Sequence, residues 1–109
     1  MGNFEFRQVA SIGQIEDGCA IEVILGEEVI AVFRLGDDYY ATSGICTHAY
    51  ARLSEGYVED DVIECPYHGG SFDIRTGRAL TAPCTRDLKT YPLRIEGDAI
   101  LVEITTVVA

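Results

Sequence analysis

The segments Cys46-Thr47-His48 and, after sixteen intervening residues, Cys65-Pro66-Tyr67-His68-Gly69-Gly70-Ser71-Phe72 decide the fold of this 109-residue chain. Each of these two short segments presents one thiol and one imidazole. The chain contains only two histidines, and both lie in these segments. A lone histidine is more often a packed or surface residue than a ligand, but two histidines at fixed offsets from two cysteines favour a metal site. We therefore predict that Cys46, His48, Cys65 and His68 are metal ligands.

The spacing C-x-H followed by C-x-x-H resembles that of the Rieske ferredoxin family. Residues 69–73, Thr76-Gly77 and Pro83 are also similar to that family. The resemblance implies one Rieske-type [2Fe–2S] cluster per chain, in which the two cysteines bind an inner iron and the two histidines an outer iron. Zinc is the chemical alternative, because it accepts two cysteines and two histidines as well.

The resemblance also implies roles for residues around the ligands. Gly69 and Gly70 fit a tight loop whose backbone N–H groups point towards the cluster sulfides. Pro83 matches a loop that covers a third side of the cluster. The other two cysteines, Cys19 and Cys84, have no histidine nearby, and nothing at the N-terminus resembles a secretory signal. We predict that both are plain buried thiols.

Short apolar and β-branched runs, separated by turn signals, run along most of the chain. The predicted strands are residues 4–10, 21–25, 29–35, 39–42, 62–65, 71–75, 91–96 and 99–104. No amphipathic helix longer than a turn or two is predicted. These runs predict one all-β antiparallel domain over residues 1–109. The resemblance adds the Rieske fold, a β-sandwich base with a cluster-binding lobe inserted at about residues 44–83.

The formal net charge of −10 argues against a nucleic-acid partner, because phosphates would repel this chain. The acidic residues fit either an ordinary solvated surface or a docking surface for a basic redox partner. The apolar C-terminal run is interrupted by Glu103 and is too short to span a bilayer. We predict a cytoplasmic monomer with no membrane partner.

The chain lacks the residues for several other activities. Both histidines are already used as ligands, so none remains for a mononuclear oxygen-activating iron, and no G-x-G-x-x-G run is present for a dinucleotide. No N-terminal membrane helix is predicted, which argues against the anchored Rieske subunit of a cytochrome complex. A one-electron carrier that is not itself an enzyme is the function that remains.

Three further stretches are similar to the ferredoxin component of bacterial aromatic-ring dioxygenase systems: Gly56-Tyr57, residues 71–77 and Thr90-Tyr91-Pro92. The resemblance implies that electrons arrive from a flavin-dependent NAD(P)H reductase and leave to a terminal Rieske oxygenase. The competing functions are a Rieske-type small subunit of an assimilatory nitrite reductase and a zinc-stabilised interaction module.

The resemblance also bears on the redox potential. High-potential Rieske proteins carry two further cysteines that bridge the ligand loops, and Ala51 and Tyr67 occupy those positions here. They also carry a serine two residues and a tyrosine four residues after the second histidine, where this chain has Gly70 and Phe72. Hydrogen bonds to the sulfurs raise the potential, so their absence predicts a value near roughly −150 mV.

Overall fold

The computed structural model describes residues 2–47, 51–67, 69–82 and 84–107, which form three antiparallel sheets. The strands in chain order are β1 (Gly2–Ser11), β2 (Ala20–Leu25), β3 (Glu28–Leu35), β4 (Asp38–Ser43), β5 (Tyr57–Glu59), β6 (Val62–Glu64), β7 (Ser71–Asp73), β8 (Ala79–Thr81), β9 (Thr90–Tyr91), β10 (Leu93–Glu96) and β11 (Ala99–Val107). Within the described ranges the only helical elements are two 3₁₀ turns, Ile12–Gln14 and Leu53–Glu55. The all-β antiparallel prediction is confirmed.

Two of the sheets form a base and the third forms a lobe. The first base sheet has the order β1-β11-β10, and the second has the order β2-β3-β4-β9. The lobe sheet has the order β5-β6-β7-β8 and is built entirely from the middle of the chain. Both ends of the chain therefore contribute strands to the base.

Strand β3 is buried on both faces, which explains its unbroken apolar run. Ile30 and Val32 lie in one core with residues of β1, β9 and β11, whereas Ala31 and Phe33 lie in a second core with residues of the lobe. All four side chains are fully buried. A strand with only one buried face alternates apolar and polar residues, and this strand has no such alternation because neither face meets water.

The predicted strand at residues 91–96 is wrong as a single element. The structure divides it at Pro92 into β9, which pairs with β4 in the second base sheet, and β10, which pairs with β11 in the first. Proline has no N–H to donate to a ladder, so the change of sheet falls where the pairing is weakest. The Pro92 carbonyl still accepts a hydrogen bond from Glu103 N–H at 2.9 Å.

Two strands of the lobe were not predicted. We expected residues 62–65 and 71–75 to be the only clear strands there, but β5 and β8 flank them. Each lobe strand has three residues, which is too short for a period of two to be recognised. None of the helical turns in the part of the chain that the structure describes has the length and hydropathy of a membrane span.

A charged hydrogen bond links two strands of the second base sheet. Tyr91 Oη donates to Glu28 Oε2 at 2.7 Å, and Lys89 Nζ lies 3.4 Å from Glu28 Oε1. The tyrosine hydroxyl, and secondarily Lys89, lower the pKa of the Glu28 carboxyl against a smaller opposing effect of burial. A lowered folded-state pKa means that this stabilisation is complete above the ordinary pKa of Glu28 and is lost as the pH falls through the lowered value.

Tyr91→Phe is therefore expected to lower the free energy of unfolding at pH 7 by about 1 kcal/mol. That value is below the roughly 1.5–3 kcal/mol of a hydrogen bond to a charged group, because Glu28 is partly exposed to solvent. The matched control is Tyr39→Phe, which removes a hydrogen bond of 3.2 Å to the uncharged Ile12 carbonyl. Apparent melting temperatures of the holo-proteins at pH 7 should fall further for Tyr91→Phe than for Tyr39→Phe. An equal fall would show that the charge on Glu28 adds nothing.

Candidate metal centre

The two ligand segments are closed by the same kind of hydrogen bond. Cys46 N–H donates to the Ala51 carbonyl at 3.0 Å, and Cys65 N–H donates to the Gly70 carbonyl at 2.7 Å. Each segment is thus a loop that begins at its cysteine and is closed by a hydrogen bond to the carbonyl five residues later. We call the loops of residues 46–51 and 65–70 the first and second ligand loops. The two hydrogen bonds fix both cysteine backbones, and a metal site needs ligands that are held in place in this way.

The first ligand loop is anchored at its base and at its side. Gly44 and Leu53 flank it, and Leu53 N–H donates to the Gly44 carbonyl at 2.9 Å. A β-bridge joins Ile45 to Arg52 directly outside the loop. From the loop itself, Thr47 Oγ1 donates to the Arg86 carbonyl at 2.8 Å. This last bond ties the loop to the segment that follows Cys84.

The structure brings Cys46 and Cys65 together in one buried cluster. They are 4% and 1% exposed, and they share the core of the lobe with Phe33 and Phe72. Burial raises the pKa of the Cys65 thiol, with the neighbouring Cys46 adding to the rise and a backbone hydrogen bond from Tyr67 opposing it. A thiol that resists ionisation in isolation becomes a thiolate when a metal cation replaces its proton.

The predicted ligands His48 and His68 lie outside the described residues, as do Tyr50 and Pro83. The structure does describe neighbours of both histidines: Thr47 precedes His48, and Tyr67 and Gly69 flank His68. Tyr67 is 58% exposed, so the second ligand loop reaches solvent immediately before its histidine. The described residues contain no group of three or more side chains arranged to hold a metal ion, and they include only two of the four predicted ligands.

The two positions 69 and 70 of the second ligand loop require glycine for different structural reasons. Gly69 has a φ of +72°, a left-handed conformation that favours glycine. Gly70 has no space for a side chain, because a Cβ there would collide with the Cys84 sulfur. The expectation of a tight glycine conformation is thus confirmed at Gly69. The direction of their N–H groups towards cluster sulfides stays a prediction.

The prediction for the remaining cysteines is right for one and wrong for the other. Cys84 is buried, but Cys19, which immediately precedes β2, is exposed. Cysteine is usually buried, and that general tendency fails where a turn holds the residue at the surface. Gly18, with a φ of +75°, precedes Cys19 in such a turn.

Cys84 is a neighbour of the site that the sequence did not reveal. Its sulfur lies 3.8 Å from the Cys46 sulfur, and it packs against Gly70 of the second ligand loop. Burial, with Cys46 as the next cause, raises the pKa of the Cys84 thiol to about 12. The residue follows Pro83, which the family resemblance places beside the cluster, and that adjacency was the one available signal.

An acidic hairpin lies on the outside of the lobe. Strands β5 and β6 carry the exposed carboxylates Glu59 and Glu64, and Asp60 and Asp61 form the turn between them. Asp60 has a φ of +54°, the only positive value for a non-glycine residue in the described ranges. A groove of about 220 Å³ carries Glu59 and Glu64 on its walls and reaches Gly69 of the second ligand loop. Two of the four acidic residues therefore line a groove that reaches the second ligand loop.

Comparisons with known proteins agree with this geometry. A family model described as the Rieske [2Fe–2S] domain matches residues 5–92. The ferredoxin component of a naphthalene 1,2-dioxygenase system from Pseudomonas aeruginosa is 41% identical over 84% of this chain and 88% of its own length. An anthranilate 1,2-dioxygenase ferredoxin subunit from Burkholderia cepacia is 41% identical over 92% of this chain and 93% of its own length.

Two solved structures are also informative. A chain from a complex of reduced oxygenase and oxidised ferredoxin in carbazole 1,9a-dioxygenase matches with a TM-score of 0.85 and 38% identity, covering 89% of this chain and 91% of its own. A proposed small subunit of an NADH-dependent nitrite reductase from Mycobacterium tuberculosis matches with a TM-score of 0.75 at 20% identity, covering 100% and 99% of the two chains. At that identity the second match shows the shared fold alone.

Proposed function

This chain belongs to the Rieske [2Fe–2S] domain family, and from that premise we propose that it is a one-electron carrier for the terminal oxygenase of an aromatic-ring dioxygenase system. The observation that supports the proposal most is the pair of buried cysteines held at the starts of two similarly closed loops. Relatives at about 40% identity are named as ferredoxin components of such systems. In this function the chain transfers electrons and is not itself a catalyst.

The ligand assignment that we propose is Cys46 and Cys65 on one iron and His48 and His68 on the other. The described half of this set fits, because both thiols are buried, adjacent and held by backbone hydrogen bonds. When bound, the [2Fe–2S] cluster supplies reversible one-electron reduction at a potential that its histidine ligands raise. The protein holds the cysteine side away from water in the core of the lobe. We propose that residues 1–109 form a single domain whose cluster-binding lobe is about 44–83.

The partners that we propose are a terminal Rieske oxygenase and a flavin-dependent NAD(P)H reductase. The oxygenase proposal is supported by the similarity to a ferredoxin that was solved with its oxygenase. The reductase proposal rests on the chemistry, since a single-electron carrier fed by a two-electron hydride donor needs a flavin between them. Location in the cytoplasm and a monomeric state stay predictions.

The two alternatives are weaker. The nitrite reductase subunit has support in the fold alone, because the match is only 20% identical. A zinc-stabilised module conflicts with membership of a family defined by an iron–sulfur cluster.

The test is a reconstituted electron-transfer assay with purified components of a naphthalene dioxygenase system. Dithionite-reduced protein should show a rhombic electron-paramagnetic resonance signal and should reduce the terminal oxygenase in stopped flow. If the acidic hairpin steers docking, raising the salt concentration should slow this transfer. Salt shortens the Debye length over which charges attract, to roughly 8 Å at physiological ionic strength. A reduced cluster that does not reduce any Rieske oxygenase tried would contradict the function, whereas salt-independent transfer would contradict only the steering.

A further inference from the structure

A third buried thiol contacts one of the proposed ligands. The sulfurs of Cys84 and Cys46 are 3.8 Å apart, within hydrogen-bonding range for sulfur. Cys84 is 4% exposed, so water does not compete for this contact. The Cys84 N–H donates to the Thr81 carbonyl at 3.1 Å, which fixes the backbone that carries the thiol.

The Cys84 sulfur occupies the place in the second ligand loop where a side chain at position 70 would begin. Gly70 is the residue whose absent side chain makes room for the Cys84 sulfur. The Gly70 carbonyl is also the acceptor that closes the loop on Cys65. Cys84 therefore contacts the first ligand loop through Cys46 and the second through Gly70.

The direction of the sulfur–sulfur hydrogen bond follows from the ligand assignment. A cysteine that binds iron is a thiolate and has no proton to donate. The neighbouring thiol keeps its proton, because a further anion buried beside a thiolate would be strongly disfavoured. Cys84 is then the donor and Cys46 the acceptor.

We propose that Cys84 is a positioning residue that donates an S–H hydrogen bond to the Cys46 sulfur and raises the reduction potential of the site. The inference rests on the proposed assignment of Cys46 as an iron ligand. Reduction adds negative charge to the cluster and its thiolates, so a donor aimed at a ligand sulfur stabilises the reduced state more than the oxidised state. A thiol is a weak donor, so the effect should be smaller than that of a hydroxyl.

The test compares midpoint potentials of holo-proteins by protein-film voltammetry. Cys84→Ala removes the donor and should lower the equilibrium constant for reduction about threefold to tenfold, which is about 30–60 mV at 59 mV per tenfold change. Cys84→Ser keeps a donor and should have a midpoint at or above that of the wild type. The matched control is Cys19→Ala, which removes an exposed thiol and should change nothing.

Cys84→Val provides a second comparison, because it fills the space better than alanine and has no donor. If Cys84→Ala loses the cluster, Cys84→Ser is compared with Cys84→Val instead. An equilibrium constant for reduction at least threefold larger in Cys84→Ser than in Cys84→Val supports the proposal. Equal midpoints for serine and valine would show that Cys84 only fills space, and would overturn it. Absence of a Rieske signal in the wild type would refute the proposed function and this inference together, whereas an intact signal with unchanged midpoints would refute the inference alone.

Discussion

Replacing Cys65 by alanine is expected to abolish [2Fe–2S] binding, with complete loss of visible absorption and of the reduced-state paramagnetic signal. Cys65 is almost fully buried at the start of the second ligand loop, and its backbone N–H is committed to the Gly70 carbonyl. On the proposed assignment, removal of its sulfur leaves the inner iron with Cys46 as its one remaining cysteine ligand. Iron and acid-labile sulfide, measured per chain, provide the readout.

The control for this substitution is Cys19→Ala, since Cys19 is exposed. Cys46→Ala is a less clean test, because Cys84 lies 3.8 Å away and could replace the missing thiolate. On the histidine side, His48→Cys or His68→Cys should either lose the cluster or convert its spectrum to that of a four-thiolate cluster. Retention of a normal Rieske spectrum in Cys65→Ala, or bleaching in Cys84→Ser or Cys19→Ser, would contradict the ligand assignment.

The base of the fold could be predicted from the sequence because its strands are long enough to show a pattern. Turns such as Gly36 and Gly97, each with positive φ, separate runs that pair as neighbouring antiparallel strands. The lobe could not be predicted to the same extent, because three-residue strands carry no period. The division at Pro92 was missed since the apolar pattern continues through the proline while the hydrogen-bonding partner changes.

Candidate ligands could be selected from the sequence only where cysteine and histidine recur at a short, fixed spacing. Cys46 and Cys65 could be selected because each precedes a histidine by a short, fixed interval. The contact between Cys84 and Cys46 spans 38 residues and leaves no periodic signal. The requirement for glycine at position 70 likewise depends on that distant thiol. Such contacts depend on how the loops pack together, which local sequence does not encode.

Phe72→Tyr is expected to raise the midpoint potential by up to about 60–130 mV. Phe72 is fully buried and shares a core with Cys46 and Cys65, and its position is the one at which high-potential Rieske proteins carry a hydroxyl. A buried tyrosine hydroxyl normally finds an acceptor, and the cysteine sulfurs are in the same cluster. A hydrogen bond to a charged group is worth roughly 1.5–3 kcal/mol, and about 1.4 kcal/mol corresponds to about 59 mV for one electron.

The matched control is Phe72→Leu, which perturbs the packing but adds no donor. Protein-film voltammetry on both variants separates the hydroxyl from the packing change, because only tyrosine should raise the midpoint. The same measurement on the wild type tests the predicted low potential near roughly −150 mV. A low value suits a carrier that accepts electrons from a reductase fed by NAD(P)H and is poorly matched to oxidation of a quinol. A wild-type midpoint well above zero would contradict the low-potential prediction, and a rise in Phe72→Leu equal to that in Phe72→Tyr would show that the hydroxyl is not the cause.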